Sequence, residues 1–287
     1  MSFTRRETIA ADQPILIVAL EGWIDPGFTA ATALTCLLDQ FDTRTFVVFD
    51  TDDLIDLRAR RPRVISRDGL RSRVYWPGPR LRVGTDEDGM GMAFLVGPEP
   101  DFRWKGFAAE VVELAMEMGC KLIVGLGAAP APTPHTRPIP ISSTASTQEL
   151  AAEVGYRSGT RDRPARMIDV VGSTADLAGI PSISLIARVP HYVSTTPYPA
   201  ASIALLQALS SVSGLAINTE SLEEGAESTN REVDRLIAQS EEHTEMVRQL
   251  EERYRRIAPA EIDENILPSG DQIAEELQRY LRNRTTE

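Results

Sequence analysis

Two cysteines, two lysines and three histidines are all that the 287 residues hold of the side chains most used in soft-metal, redox and lysine chemistry. Cys36 and Cys120 lie far apart, each inside an apolar periodic segment. That excludes a disulfide framework and a CxxC metal site, and both are expected to be buried packing residues. Lys105 and Lys121 stand outside any glycine-rich loop and no GxxxxGK[ST] run occurs, so P-loop chemistry is excluded and ATP-grasp chemistry is poorly served. His135, His191 and His243 have no metal-ligand spacing, and there is no GxSxG elbow. No metal and no cofactor is expected.

Long apolar runs are missing too. Ile15 to Leu20 is far too short to span a membrane, and no apolar stretch follows Arg5 and Arg6 as it would in a secretory signal. A soluble, cytoplasmic protein without a membrane partner is the expectation. Cations are outnumbered, 30 Lys plus Arg against 42 Asp plus Glu, for a net charge of −12. Phosphates would be repelled over most of such a surface, which argues against nucleic acid as the main partner. With 42% hydrophobic and 25% charged residues the chain is ordinary globular material and neither collagen-like nor disordered.

The charge is unevenly placed. Residues 220–287 hold 18 acids and 9 arginines, so the chain is expected to divide into an α/β core over 1–219 and an acidic helical extension over 220–287. Conversely, nine arginines lie between Arg58 and Arg82, with Asp68 almost the only acid among them. That stretch reads either as a docking face for an acidic partner, the acidic tail of a sister subunit included, or as edge strands guarded by charge.

Pro14 to Leu20 has strand character, and Asp25 with Pro26 suits the start of a helix carrying Phe28, Ala31, Leu34, Leu38 and Phe41 at helical spacing. Arg44 to Asp50 reads as the next strand, completing a βαβ unit in a parallel sheet. Short strands over 63–66, 71–76 and 81–83 are expected as hairpins at a sheet edge. Strands at 91–97, 120–125, 167–171 and 182–187 follow, with helices marked by Phe107, Val111, Leu114 and Met118 and by residues 200–213. Gly125-Leu126-Gly127-Ala128-Ala129-Pro130 begins like a dinucleotide fingerprint, but proline stands where the third glycine belongs. Five prolines from Pro130 to Pro140 predict a stiff loop around His135, Thr136 and Arg137.

In the last quarter, Thr229 and Glu232 form a capping-box pattern. Val233, Leu236, Ser240, His243, Val247, Leu250, Tyr254 and Ile257 then recur by threes and fours, predicting one helix of about 28 residues ended by Pro259. Ser269 and Gln272 begin another helix with Ile273, Leu277 and Tyr280. The apolar seam of Val233, Leu236, Val247, Leu250, Tyr254 and Ile257 is the candidate interaction surface, suited to antiparallel or intersubunit helix packing.

Glu21, Trp23 and Asp25 follow a buried strand where a sheet's carboxyl edge opens a crevice. His135 and Arg137 on one Pro-flanked loop, and His191 and Tyr192 on another, could meet them there. Together they would make an acid/base cluster or a nucleoside- or carboxylate-type ligand site with Arg137 facing the anion. The alternative for each is structural: Trp23 packed on a loop, Glu21 on the backbone, the loop histidines on carbonyls.

Four segments, EGWIDPG at 21–27, GPEPDFRWKGF at 97–107, GLGAAPAPTPHTRP at 125–138 and GIPSISLIARVPHYVSTTPYP at 179–199, together resemble the proteasome assembly chaperone 2 family in its bacterial, actinobacterial-type branch. The resemblance runs in order over about residues 10–285. It implies a three-layer α/β/α, phosphorylase/hydrolase-like fold with a helical C-terminal extension and homo-oligomers. It also implies protein clients, with proteasome subunits or a ring ATPase as the partners in view. The family pattern defines no catalytic residue to carry over. Some relatives end in a hydrophobic-tyrosine-any tail, whereas this sequence ends Asn283-Arg284-Thr285-Thr286-Glu287, with Tyr280 too far inside to serve as one. The expected function is therefore a non-enzymatic assembly chaperone or scaffold, the alternative being a small-molecule enzyme or binding protein.

Overall fold

The computed structural model describes residues 3–5, 13–22, 24–86, 89–153 and 162–256. The sequence-predicted helix around Ile273, Leu277 and Tyr280, the break at Pro259, and Trp23 and Ile257 lie outside the described residues.

Eight strands form one mixed sheet: β1 (Phe3–Arg5), β2 (Ile15–Glu21), β3 (Thr43–Phe49), β6 (Arg80–Thr85), β7 (Gly91–Pro98), β8 (Leu122–Ala131), β9 (Ile141–Ala145) and β10 (Ser182–Pro190). Their order is β1-β3-β6-β7-β2-β8-β10-β9. Strands β7, β2, β8 and β10 pair in parallel, while β1, β6 and β9 run against their neighbours. Alternation along β2 shows why both faces are covered: Ile15, Ile17 and Ala19 enter one core and Leu16 and Val18 the other, all 4% exposed or less. One face carries α1 (Thr29–Gln40), α6 (Pro199–Ser213) and α7 (Glu220–Ile237), with Val233 of α7 inside that core. The other carries α2 (Thr51–Leu54), α3 (Trp104–Glu117) and α5 (Met167–Leu177). This is a three-layer α/β/α sandwich. Also among the described residues are the strands β4 (Arg63–Arg67) and β5 (Leu70–Tyr75), the helices α4 (Gln148–Glu153) and α8 (Glu241–Arg256), and 3-10 turns at Pro26–Phe28 and His191–Val193.

Several local expectations need correction. Strands β2 and β3 run in the same direction but do not pair, because β6 and β7 are inserted between them. Strand β6 is interior, not part of an edge hairpin. Strands β4 and β5 form a separate two-stranded sheet closed by Asp68 and Gly69, and nearly all their residues are exposed. Residues 167–171 are helical, not a strand. The run Met167, Ile168, Val171, Ala175 is buried at helical spacing, and the Asp169 carboxylate accepts the Arg166 N–H at the helix start. In α1 the buried face is Ala33, Cys36 and Leu37, while Phe28 before it is half exposed.

The proline-rich stretch begins as strand: β8 continues through Pro130 to Ala131 alongside β10. β2 accompanies β8 only as far as Gly125, so beyond that point β8 has an edge on which a proline is tolerated. The glycines of the false dinucleotide fingerprint have a packing reason. A Cβ on Gly125 would lie 3.1 Å from Ile168 Cβ, and one on Gly127 3.0 Å from Ile186 Cδ1 and 3.4 Å from Ile168 Cδ1. They let α5 approach the sheet closely.

The single long C-terminal helix is in fact two. α7 starts at Glu220, so Thr229 and Glu232 lie inside it and make no capping box; Glu232 instead pairs with Arg235. The chain breaks at 238–240, where the Ser240 hydroxyl accepts the His243 N–H at 3.3 Å and caps α8.

Candidate functional site

All four segments that resemble the family leave the same edge of the sheet. Strands β2, β7, β8 and β10 are parallel, so Glu21, Pro98, Ala131 and Pro190 end side by side at its carboxyl edge. The chain after β2 turns to the α1 face and the chain after β7 to the α3 face, an arrangement that opens a crevice in open α/β sheets. Here Glu99 closes it. Glu99 is 7% exposed; its N–H donates to the Glu21 carbonyl at 2.9 Å, and its carboxylate accepts the Met167 N–H at the start of α5. Arg60 Nη1 donates to the Glu99 carbonyl at 2.5 Å, and Gly22 leaves room for the carboxylate, which would lie 3.4 Å from a Cβ there. Burial pushes the Glu99 carboxyl above the usual range, against the pull of the Met167 N–H, Arg60 and Arg166.

Glu21 itself is exposed. Asp25 caps α1 across a short 3-10 turn, its two carboxylate oxygens accepting the N–H groups of Ala30 and Ala31 at 2.9 Å each. Burial raises the Asp25 carboxyl above the usual range, and those N–H bonds offset only part of the rise. The turn is pinned to the segment after β10. Gly27 N–H donates to Ser194 O at 2.8 Å, Tyr198 N–H donates to Gly27 O at 2.9 Å, and Gly27 has φ +69°.

His135, Tyr192 and Asp234 form a polar constellation that joins two of these segments to α7. The Tyr192 hydroxyl accepts the His135 peptide N–H at 2.8 Å and lies 2.7 Å from His135 Nδ1, while Nε2 lies 2.9 Å from Asp234 Oδ1 on α7. The Asp234 carboxylate can only accept, so the neutral ring carries its hydrogen on Nε2 and donates it there, and Nδ1 accepts the proton of the Tyr192 hydroxyl. Burial, above all, pushes the Tyr192 phenol far up, which keeps it a donor. His191 stacks edge-on against Tyr192 with centroids 5.3 Å apart, and its carbonyl accepts from Ser194. Arg137 does not join the histidines; its Nε lies 3.9 Å from Glu251 Oε1. Helix α8 is fastened across this loop by three residues: Thr136 donates to Glu251 Oε1 at 2.5 Å, Arg137 pairs with the same carboxylate, and Tyr254 donates to Pro138 O at 3.1 Å.

The predicted seam is only partly a seam. Val233, Val247 and Leu250 are buried and Tyr254 is half-buried, whereas Leu236 is 40% exposed. Both cysteines are buried, and burial pushes the Cys120 thiol to about 12. Among the described residues no group of three or more His, Cys, Asp or Glu is placed to hold a metal, and no helix is long and apolar enough to cross a membrane. Reading the sequence missed Glu99 and Asp234. Glu99 sits in a quoted segment and follows a strand, which is a signal; Asp234 lies 99 residues from its partner His135 with nothing local to mark it.

Residues 19–237 match the PAC2 family. The chain belongs to that family. A PAC2 family protein from Streptomyces avermitilis is 34% identical, with 82% of this chain and 99% of that one covered and a TM-score of 0.73. A proteasome-assembly chaperone homologue from Mycobacterium tuberculosis is 32% identical, with 81% and 99% covered and a TM-score of 0.75. An archaeal proteasome activator from Pyrococcus furiosus, 16% identical with 82% and 97% covered and a TM-score of 0.62, shares the fold. No curated relative matches the chain.

Proposed function

We propose that this PAC2 protein is a non-enzymatic assembly or scaffold protein of the cytoplasm that self-associates and holds a protein client of the proteasome system. The observation that carries the reading is its 32% identity, over nearly the whole of that relative, to the M. tuberculosis proteasome-assembly chaperone homologue. Two of the candidate acid/base residues, Asp25 and His135, support it by being engaged in holding the chain. Asp25 caps a helix with both oxygens, and both ring nitrogens of His135 are taken by Tyr192 and Asp234.

The β4–β5 arm is the surface we assign to self-association. It joins no other strand among the described residues, carries Arg63, Arg67, Arg71 and Arg73, and exposes Val64 at 56% and Leu70 at 74%, with Trp76 just beyond it. A lone hairpin is marginal in water, and its charge complements the acidic helices α7 and α8 of a second copy.

The test combines the mass of the purified full-length particle with capture from the native cytoplasm, each repeated with the Arg71→Glu/Arg73→Glu double variant. A multimer that falls apart in the variant, together with recovery of proteasome subunits or a ring ATPase by the wild type, is the expected result. A monomer at all concentrations that recovers neither overturns the reading.

A further inference from the structure

Helix α6 has no charged side chain in its 15 residues. Its Ala201, Leu205, Leu206 and Leu209 are buried in the core beneath, whereas Ala200, Ile203, Ala204 and Ala208 are only half-buried. Those four line a groove of about 500 Å³ whose other wall is Pro138, Ile139 and Ile141. The groove opens to solvent at the exposed Gln207 and Ser211. A helix without a charged face belongs in a covered position, and α7 and α8, rich in Glu and Arg, show what a solvent face looks like in this chain.

The chain itself leads to this groove. Tyr254, in the last turn of α8, donates its hydroxyl to Pro138 O at 3.1 Å, so the chain leaves α8 at Arg256 beside one groove wall. Residues 257–287 follow, and their sequence supplies an apolar stripe of matching length. After the Ser269 and Gln272 capping pattern, Ile273, Leu277, Tyr280 and Leu281 recur at i, i+4, i+7 and i+8, one face of a helix, with Glu275, Arg279 and Arg282 away from it. Such a stripe runs about 12 Å from residue 273 to residue 281, against about 16 Å from residue 200 to residue 211 along α6. An extended chain over 257–268 reaches up to about 40 Å, enough to lay the stripe along the groove in either direction. An apolar helix face set into an apolar groove through anchors at this spacing is a recurring mode of recognition.

We infer that the groove between the 138–141 segment and α6 is the seat of residues 269–284 of the same chain, docked as an amphipathic helix with Ile273, Leu277 and Tyr280 turned inward. The docked helix covers the apolar outer face of α6 and ties down the end of α8. The inference is independent of the proposed self-association, which uses the β4–β5 arm.

Full-length protein serves two tests. In hydrogen exchange, amides of residues 273–281 should exchange at least about 10-fold faster in Leu277→Asp than in the wild type, while Glu275→Asp, on the opposite face, leaves them at wild-type rates. In the second test Ala204→Cys is combined either with Leu277→Cys, so that the midpoints of the two stripes meet, or with Glu275→Cys. Oxidation should link the first pair within one chain, at least about 5-fold faster than the second, whose Cβ points away. Native Cys36 and Cys120 are buried, and the Cys120 thiol is pushed up to about 12, so neither competes. Peptide mass mapping locates the link, and non-reducing denaturing gels show whether it joins one chain or two. Wild-type exchange as fast as that of Leu277→Asp, an equal loss of protection in Glu275→Asp, equal linking from the two positions, or a link between two chains would each overturn the proposal, the last by seating a second copy's segment in the groove.

Discussion

Tyr192 holds His135 at two points, accepting its peptide N–H at 2.8 Å and facing its Nδ1 at 2.7 Å, with the two rings edge-on at 5.7 Å. One phenol thereby fixes both the backbone and the ring of a residue in the proline-rich segment after β8. Through the other ring nitrogen, that segment is tied to Asp234 of α7. The segments after β8 and β10 and the first C-terminal helix are thus joined by three side chains.

Tyr192→Phe keeps the ring but strands two polar groups of a residue that is 7% exposed. Leaving buried groups unsatisfied costs about 1–3 kcal/mol, so the variant's urea midpoint should fall accordingly, with the m-value unchanged. In the wild type, the ¹⁵N shifts of the neutral His135 ring should report hydrogen on Nε2. A ring with hydrogen on Nδ1 would contradict the network.

Much of the architecture is legible in the residues. The strands β2, β3, β7 and β10 are short apolar runs bounded by turn residues, and the α3 face of Phe107, Val111, Leu114 and Met118 is buried as its spacing predicts. Where periodicity is ambiguous, reading fails in a specific way. Met167 to Val171 is five residues long and apolar enough for a strand, and only Asp169 at the third helical position marks a helix start. Sheet order is not local at all: that β6 and β7 slip between β2 and β3 is decided by pairings across dozens of residues. The same holds for the site. His135 and Tyr192 both stand out in the sequence, and the structure joins them, but Glu21 is exposed, Asp25 caps α1, and Asp234 arrives from the far end of the chain.

Glu99 and Asp169 should give opposite pH signatures. Glu99 is raised above the ordinary glutamate value by burial, so its contribution to stability is present below that value and lost as pH rises through its folded value. Asp169 is also buried, which raises it. That effect is outweighed by Arg163, whose two nitrogens each approach the carboxylate at 2.8 Å, and by Arg166, so its net shift is downward. Its contribution is present above the ordinary aspartate value and lost as pH falls. From about pH 2 to pH 7, Asp169→Asn should therefore lose ground to the wild type as pH rises through the lower half of the range, up to about pH 5, while Glu99→Gln should gain on it as pH rises through the upper half, from about pH 4. Chemical denaturation across that range checks both, and parallel trends for the two variants would refute the assignment.

Gly27→Ala tests the junction between the turn after β2 and the segment after β10. With φ +69° and a would-be Cβ 2.9 Å from Tyr198 Cβ, the substitution combines backbone strain with a clash. A loss of about 1–3 kcal/mol in unfolding free energy is expected. Gly69→Ala, at φ +76° with nothing within 4 Å, provides the matched control that carries the strain without the clash. Equal losses in the two would show that the contact with Tyr198 contributes nothing.

Ser240 decides whether α7 and α8 act as two helices or one. Its side chain caps α8, and its carbonyl takes the Thr244 hydroxyl at 3.0 Å, so Ser240→Ala removes only the hydroxyl that accepts the His243 N–H. The cap is worth about 1 kcal/mol. Its loss should act locally, on the turn that it caps, because the rest of α8 is held by Thr136 and Arg137 on Glu251, by Tyr254 on Pro138 and by the buried Val247 and Leu250. Hydrogen exchange is the suitable measurement. Amides of the first turn of α8 should exchange about 5-fold faster in Ser240→Ala, while those of α6 and β8 stay at wild-type rates. If instead helix continues through residues 238–240 in solution, the substitution should slow exchange there, alanine being the better helix former.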